Sequence, residues 1–223
     1  AIFPALSRHA AEADYDALGR SLSRGICVAS FEAIPCAVGL MVVRYPLIDL
    51  LFNRGEFART EDAVGRVAFA LFMYALGIWA FGINQLVIRA FYAVGDVRTP
   101  LKASVANVVI NLCLNLILVR TPLREAGLAL SSAITGTLQV TWLLTRFDRR
   151  MQVIQWRFIV NRLVRILLAA GFMAVAVMAV DQFHLAEFRN IIRLPLLVLI
   201  GAGAYVASAW VCRVRELREM LKK

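Results

Sequence analysis

The chain has 223 residues, 61% of them hydrophobic and 18% charged, with a formal net charge of +10. A mean hydropathy of +0.71 excludes an ordinary water-soluble domain of this length. The basic excess does not mark a nucleic-acid binder, because it lies in short loops between apolar runs. Anionic membrane lipids are the expected partner instead.

In chain order, Ala1 to Leu6 reads as the last turns of a helix already under way, so the sequence is expected to be the carboxyl-terminal part of a longer protein. Residues 7–24, rich in Ala, Asp, Glu and Arg, read as a cytoplasmic linker. Six apolar runs follow, at 25–43, 63–93, 101–119, 126–145, 159–180 and 194–212. At about 1.5 Å per residue, each can cross a hydrocarbon core of ~30 Å, which predicts an all-α, polytopic membrane helix bundle. Three segments are expected: 1–24, the end of a preceding helix plus linker; 25–145, four helices; and 146–223, two additional helices and a tail.

Sixteen of the 25 basic residues fall on one set of alternate loops and eight on the other, with Arg89 inside a span. Basic residues are retained on the cytoplasmic side, so both ends of this chain are expected there.

Local signals mark the boundaries. Leu47, Ile48, Leu50, Leu51 and Phe52 form a short apolar cluster, ended by Asn53 to Gly55, that suits the outer interface. Thr60 before Glu61 and Asp62 reads as an N-cap with acids in the first turn of the next helix. A helix over 61–93 would be roughly 48 Å long and must tilt, kink or protrude, with Gly77 and Gly82 as the weak points. Gly95, Asp96, Val97, Arg98, Thr99 and Pro100 read as a tight turn, with Thr99 capping and Pro100 at the first position of the following helix.

Polar residues inside spans must find partners away from lipid. Asn107, Asn111 and Asn115 recur every four residues, with Ser104 continuing the row. They form either one wall of a hydrated, substrate-lining cavity or an interhelical hydrogen-bond ladder; Asn84 and Gln85 pose the same choice. Glu32 and Arg89 are the two ionisable residues set within apolar runs. They pair, or Arg89 snorkels and Glu32 faces water and titrates. Pro35, three residues after Glu32, frees a backbone carbonyl.

Small residues at Gly127, Ser131 and Thr135, with Ser132 and Gly136 beside them, and at Gly203 and Ala207, with Ala204 and Ser208, predict close helix contacts. The fifth span is almost wholly aliphatic from Ile166 to Val180 and is expected to face lipid or a lipid-like chain. Trp142, Trp156 and Trp210 fit interfacial anchoring. Cys27, Cys36, Cys113 and Cys212 show no CxxC spacing and read as small hydrophobes, and His9 and His184 have no ligand partner nearby. No catalytic set, phosphate loop, metal site or cofactor site emerges, so an enzyme is not expected.

Four stretches carry a resemblance: Phe52-Asn-Arg-Gly-Glu-Phe57, Tyr74-Ala-Leu-Gly77, Arg89-Ala-Phe-Tyr-Ala-Val-Gly-Asp-Val-Arg-Thr-Pro100, and Ala126-Gly-Leu-Ala-Leu130. In order and spacing they resemble the MurJ (MviN) family, the lipid II flippases of the multidrug/oligosaccharidyl-lipid/polysaccharide exporter superfamily. The likeness covers residues 1–150, and the FYAxGDxRTP element is its most specific part.

The resemblance implies a fourteen-helix fold in two six-helix lobes plus two extra helices, of which this chain supplies the last six. The missing amino-terminal lobe would then be its partner. It further implies flipping of undecaprenyl-linked disaccharide-pentapeptide, lipid II, from the inner to the outer leaflet of the bacterial inner membrane by alternating access. In the family the two extra helices border a groove for the polyprenyl tail. The cavity arginines of the family belong mainly to segments absent here and are not carried over. Arg89 stands where many relatives have Pro, and Glu32 where aliphatic residues are usual. An exporter of another polyprenyl-linked saccharide or of a drug, or a non-transporting membrane scaffold, are the alternative readings.

Overall fold

A computed structural model describes residues 2–60, 62–182 and 190–212. They form nine helices: α1 (Ile2–Ala11), α2 (Tyr15–Phe52), α3 (Gly55–Arg59), α4 (Ala63–Ala75), α5 (Ile78–Ala93), α6 (Arg98–Leu118), α7 (Glu125–Met151), α8 (Trp156–Val180) and α9 (Asn190–Val211). Six spans are long and apolar enough to cross a membrane: α2, α4 with α5, α6, α7, α8 and α9. The chain is an all-α membrane bundle. His184, Arg189, Glu61 and the basic tail at 213–223 lie outside the described residues.

The first span differs from the sequence expectation at both ends. Asp14 caps α2 by accepting from Ala17 N at 2.8 Å, so the helix begins at Tyr15, ten residues before the apolar run. Residues 15–24 are therefore helical and carry core: Ala17, Leu18, Gly19, Leu22 and Ser23 are buried. The helix also runs through Pro35 and Pro46 to Phe52, so the cluster at 47–52 is its last turn and not a separate interfacial piece. Pro35 lacks the N–H that would bond to the Phe31 carbonyl, and the Tyr205 hydroxyl of α9 donates to that oxygen at 2.9 Å instead. Tertiary contact thus replaces the missing rung.

The second span breaks at Gly77 and continues through Gly82. A Cβ at Gly77 would lie 2.7 Å from Ala133 Cα of α7, whereas one at Gly82 would meet Ala33 Cβ at 3.9 Å. Close backbone approach therefore fixes the break at Gly77. Thr60 does not cap this span. It closes α3, its hydroxyl donating to Glu56 O at 3.1 Å, and α4 begins only at Ala63, after Asp62 in the left-handed region at φ +52°.

The spans pack as a row. α9 and α8 lie against α2, α2 against α4 and α5, these against α7, and α7 against α6, while α1 rests on α2 and α5. One apolar cluster joins Leu6, Leu18, Leu22, Ile26, Val87, Phe91, Leu143 and Phe147. A second joins Phe31, Ile34, Ile166, Ala169, Met173, Leu197 and Tyr205. The α8 face not used in this packing is exposed at Val164, Leu167, Phe172 and Val175. On α9 the contact stripe runs through the buried Gly201, Tyr205 and Ala209; of the small residues expected there, Gly203 and Ala207 are exposed, whereas Ala204 and Ser208 are half-buried and Ser208 reaches α8. The row of small residues on α7 does serve contact, since a Cβ at Gly127 would lie 2.9 Å from Leu118 of α6.

Gly77→Ala must push α4 and α5 off α7 and is expected to destabilise the full-length protein by about 1–3 kcal/mol. Gly82→Ala is expected to stay within about 1 kcal/mol. Detergent thermal melting checks both, and equal losses at the two sites would contradict this packing.

Candidate functional site

Polar side chains converge at the α6–α7 interface. Asn111 Nδ2 donates to Ser131 Oγ at 3.3 Å and to Thr135 Oγ1 at 3.2 Å, and Asn115 Nδ2 donates to Asn111 Oδ1 at 3.0 Å. The Ser131 hydroxyl reaches Asn115 Oδ1, and Gln139 Nε2 donates to Ser104 Oγ at 3.3 Å. Of the two readings of the asparagine row, Asn111 and Asn115 take the form of the ladder. Small residues on α7 bring the backbones close enough for these short amides to reach.

Asn107 breaks the pattern. Its Oδ1 is buried without a hydrogen-bond partner among the described residues, as is Asn84 Oδ1 of α5. Asn107 also lines a cavity of about 510 Å³ between α6 and α7, with Lys102, Ile110, Leu138, Gln139 and Trp142. Lys102, Gln139 and Trp142 were not marked by the sequence as site residues. The four-residue spacing of Lys102, Ala106 and Ile110 is the signal that could have found Lys102, whereas Gln139 and Trp142 join it only through the packing of α7 on α6.

Glu32, Gln85 and Arg89 are exposed. Among the described residues, neither Glu32 nor Arg89 forms an ion pair. Gly82 faces Ala33, and consecutive spans run antiparallel, so Glu32 lies level with residue 83. Arg89 then sits roughly 9 Å further toward the C-terminal end of α5. That axial offset is why the pairing expected from sequence does not form. Gln85, Glu32 and Arg89 therefore present polar groups on an open face of α2 and α5.

The turn between α5 and α6 is held by Asp96. Gly95 adopts φ +77°, which leaves Asp96 oriented back over the start of α6. Its carboxylate accepts from Thr99 N at 3.0 Å and from Thr99 Oγ1 at 2.8 Å, and it pairs with Arg150 Nη1 of α7 at 2.7 Å. The capping group is therefore Asp96, and Thr99, expected as the cap, lies inside the first turn with Arg98 and Pro100. Burial pushes the Asp96 carboxyl up, but the Thr99 backbone and side-chain hydrogen bonds and the Arg150 charge outweigh it and hold the group below its ordinary value.

The neighbouring turn between α7 and α8 is tied in the same manner. Asp148 accepts from Trp156 Nε1 at 2.6 Å and from Ile154 N at 3.2 Å, and Ser23 Oγ accepts from Gln155 N at 3.1 Å. At the other end, Arg66 of α4 pairs with Glu125 of α7 at 3.2 Å, and Arg193 of α9 makes a two-pronged bridge to Asp181 at 2.6 and 2.7 Å. Among the described residues no group of three or more His, Cys, Asp or Glu could hold a metal ion.

The family model described as "Lipid II flippase MurJ" matches residues 1–199. Among similar proteins, a probable lipid II flippase MurJ of Thermotoga maritima is 28% identical over 193 residues, 86% of this chain and 38% of that protein. Its counterpart in Vibrio cholerae is 34% identical over 116 residues, 52% of this chain and 22% of that protein. The Haemophilus influenzae counterpart is 27% identical over 227 residues, covering 96% of this chain and 44% of its own. A solved structure titled lipid II flippase MurJ, inward closed conformation, superposes with a TM-score of 0.72 at 23% identity. It covers 94% of this chain and 42% of that one, and the likeness is one of fold. This chain thus spans less than half the length of these relatives.

Asp96→Ala removes a cap and an interhelical pair and is expected to cost about 1 kcal/mol near neutral pH. The folded-state pKa lies below 3.8, so this contribution is whole above that value and is lost as pH falls through the lower folded value. Melting curves of wild type and variant should stay a constant distance apart from neutral pH down toward 5 and converge below 3.8. A gap that widens on acidification would contradict the assignment.

Proposed function

The chain belongs to the MurJ lipid II flippase family, and from that premise we propose that it forms the carboxyl-terminal part of a transporter moving undecaprenyl-linked disaccharide-pentapeptide from the inner to the outer leaflet. The single observation that carries this reading is the family match over residues 1–199, which runs unbroken through five of the six spans and into the last. On this reading the protein sits in the bacterial inner membrane, with both ends of this chain cytoplasmic. The uneven distribution of basic residues supports that orientation.

The mechanism is alternating access by two lobes of a fourteen-helix protein. Spans α2 to α7 belong to the second lobe, and α8 with α9 form the additional pair. The open α2–α5 face with Glu32, Gln85 and Arg89 meets the amino-terminal lobe or the water-filled space between lobes. Supporting this, charged and amide groups exposed at membrane depth are costly unless water or protein covers them. Asn84 and Gln85 then supply polar lining to the cavity. Asn111 and Asn115, bonded to each other and to α7, hold that wall together. The Asp96 turn and the Asp148 turn keep the inner ends of α5, α6, α7 and α8 moving as one body.

Depletion of the resident flippase, with the full-length protein supplied in trans, tests the assignment. Growth should be rescued, and lipid II should cease to accumulate in the inner leaflet. Continued accumulation despite normal membrane insertion would overturn the reading.

A further inference from the structure

The cavity between α6 and α7 is a trench along the helix axes. Its lining positions on α6, Lys102, Ala106 and Ile110, repeat every four residues. They carry it about 12 Å from the inner turn to mid-span, close to the depth of one leaflet, half of a ~30 Å core. A volume of about 510 Å³ along that length gives room for a hydrocarbon chain. Its walls are largely apolar, from Trp142 at the inner mouth to Leu138 and Ile110 deeper in.

Charge gathers at one end only. Lys102 stands at the inner mouth, and one helical turn further in lie Arg98 on α6 and Arg146 on α7, both exposed. None of the three pairs with a carboxylate among the described residues. Two acids of the neighbouring turns are already engaged, Asp96 with Thr99 and Arg150, and Asp148 with Trp156 and the Ile154 backbone. Three uncompensated cations at the headgroup level above an apolar slot of single-leaflet depth complement one kind of molecule, an amphiphile with an anionic head.

We propose that the α6–α7 trench binds an inner-leaflet anionic phospholipid, its acyl chain along Ala106, Ile110 and Leu138 and its phosphate on Lys102, Arg98 and Arg146. The inference rests on the orientation in the proposed function, which places this mouth at the cytoplasmic leaflet. A zwitterionic lipid brings the same phosphate but carries its own cation to these three, so net negative headgroups are preferred. Each basic residue near the surface contributes about fivefold in binding.

The test is a photoreactive benzoylphenylalanine at Leu138, which is 53% exposed, in the full-length protein reconstituted into vesicles of mixed phosphatidylglycerol and phosphatidylcholine. The same group at Val175 of α8, 66% exposed, reports the bulk bilayer. Leu138 should capture phosphatidylglycerol in excess over its bulk proportion, Val175 should not, and Lys102→Gln or Arg146→Gln should lower that excess about fivefold. Capture of a protein segment, of either lipid in bulk proportion, or of nothing while Val175 labels, would each overturn the proposal. The readout is independent of transport. A protein that complements but captures no anionic lipid sinks this inference alone, and one that captures it but fails to complement sinks the flippase reading alone.

Discussion

Inside a bilayer no water is available to satisfy a polar group, so each one must be answered by another part of the protein. The joints between spans are set by that constraint. Phe31 O, left unbonded by Pro35, is answered by Tyr205 from α9, and the Ser208 hydroxyl of α9 donates to Ala169 O of α8 at 3.0 Å. The amides of Asn111 and Asn115 are answered by Ser131 and Thr135 of α7. Apolar packing brings the helices together, but Leu beside Leu is scarcely better than Leu beside lipid. These few bonds are what select which faces meet.

The same constraint points to what the six spans leave open. Asn84 and Asn107 each keep a buried oxygen without a partner among the described residues, and Glu32, Gln85 and Arg89 are exposed on α2 and α5. α6 buries only Pro100 and Ala103. On the proposed assignment, the open α2–α5 face belongs to the region between lobes, where water and substrate pass. The basic mouth of the α6–α7 trench is answered by anionic headgroups of the bilayer, on the inference drawn above. Each assignment follows from asking what the charged groups of that surface must touch.

Much of this was legible in the sequence because it is set by composition over lengths of about twenty residues. The six spans, their number and order, and the asparagine row all follow from hydropathy and a 3.6-residue period. What was not legible depends on contacts between distant residues. Nothing local reveals that Tyr205 supports the chain at Pro35, so a proline that should weaken a helix sits within a continuous one. Residues 15–24 look polar enough for a linker, yet Gly19 lets Val153 of the α7–α8 turn approach so closely that a Cβ there would lie 2.2 Å from its carbonyl oxygen. Thr99 and Asp96 are both plausible caps, and the choice falls to Asp96 because Arg150, 54 residues away, fixes its carboxylate. The pairing of Glu32 with Arg89 failed on axial register, which hydropathy does not encode.

The most direct test of this account is a double-mutant cycle across the α6–α7 ladder in the full-length protein, pairing Asn111→Leu with Thr135→Val and reading unfolding free energy in detergent titration. If polar groups at membrane depth are answered helix to helix as described, the two substitutions are coupled by about 0.6 kcal/mol and up to ~1.7 kcal/mol. Strict additivity, with each single change near neutral, would mean that these amides face water or lipid and that the joints between spans are set by something else.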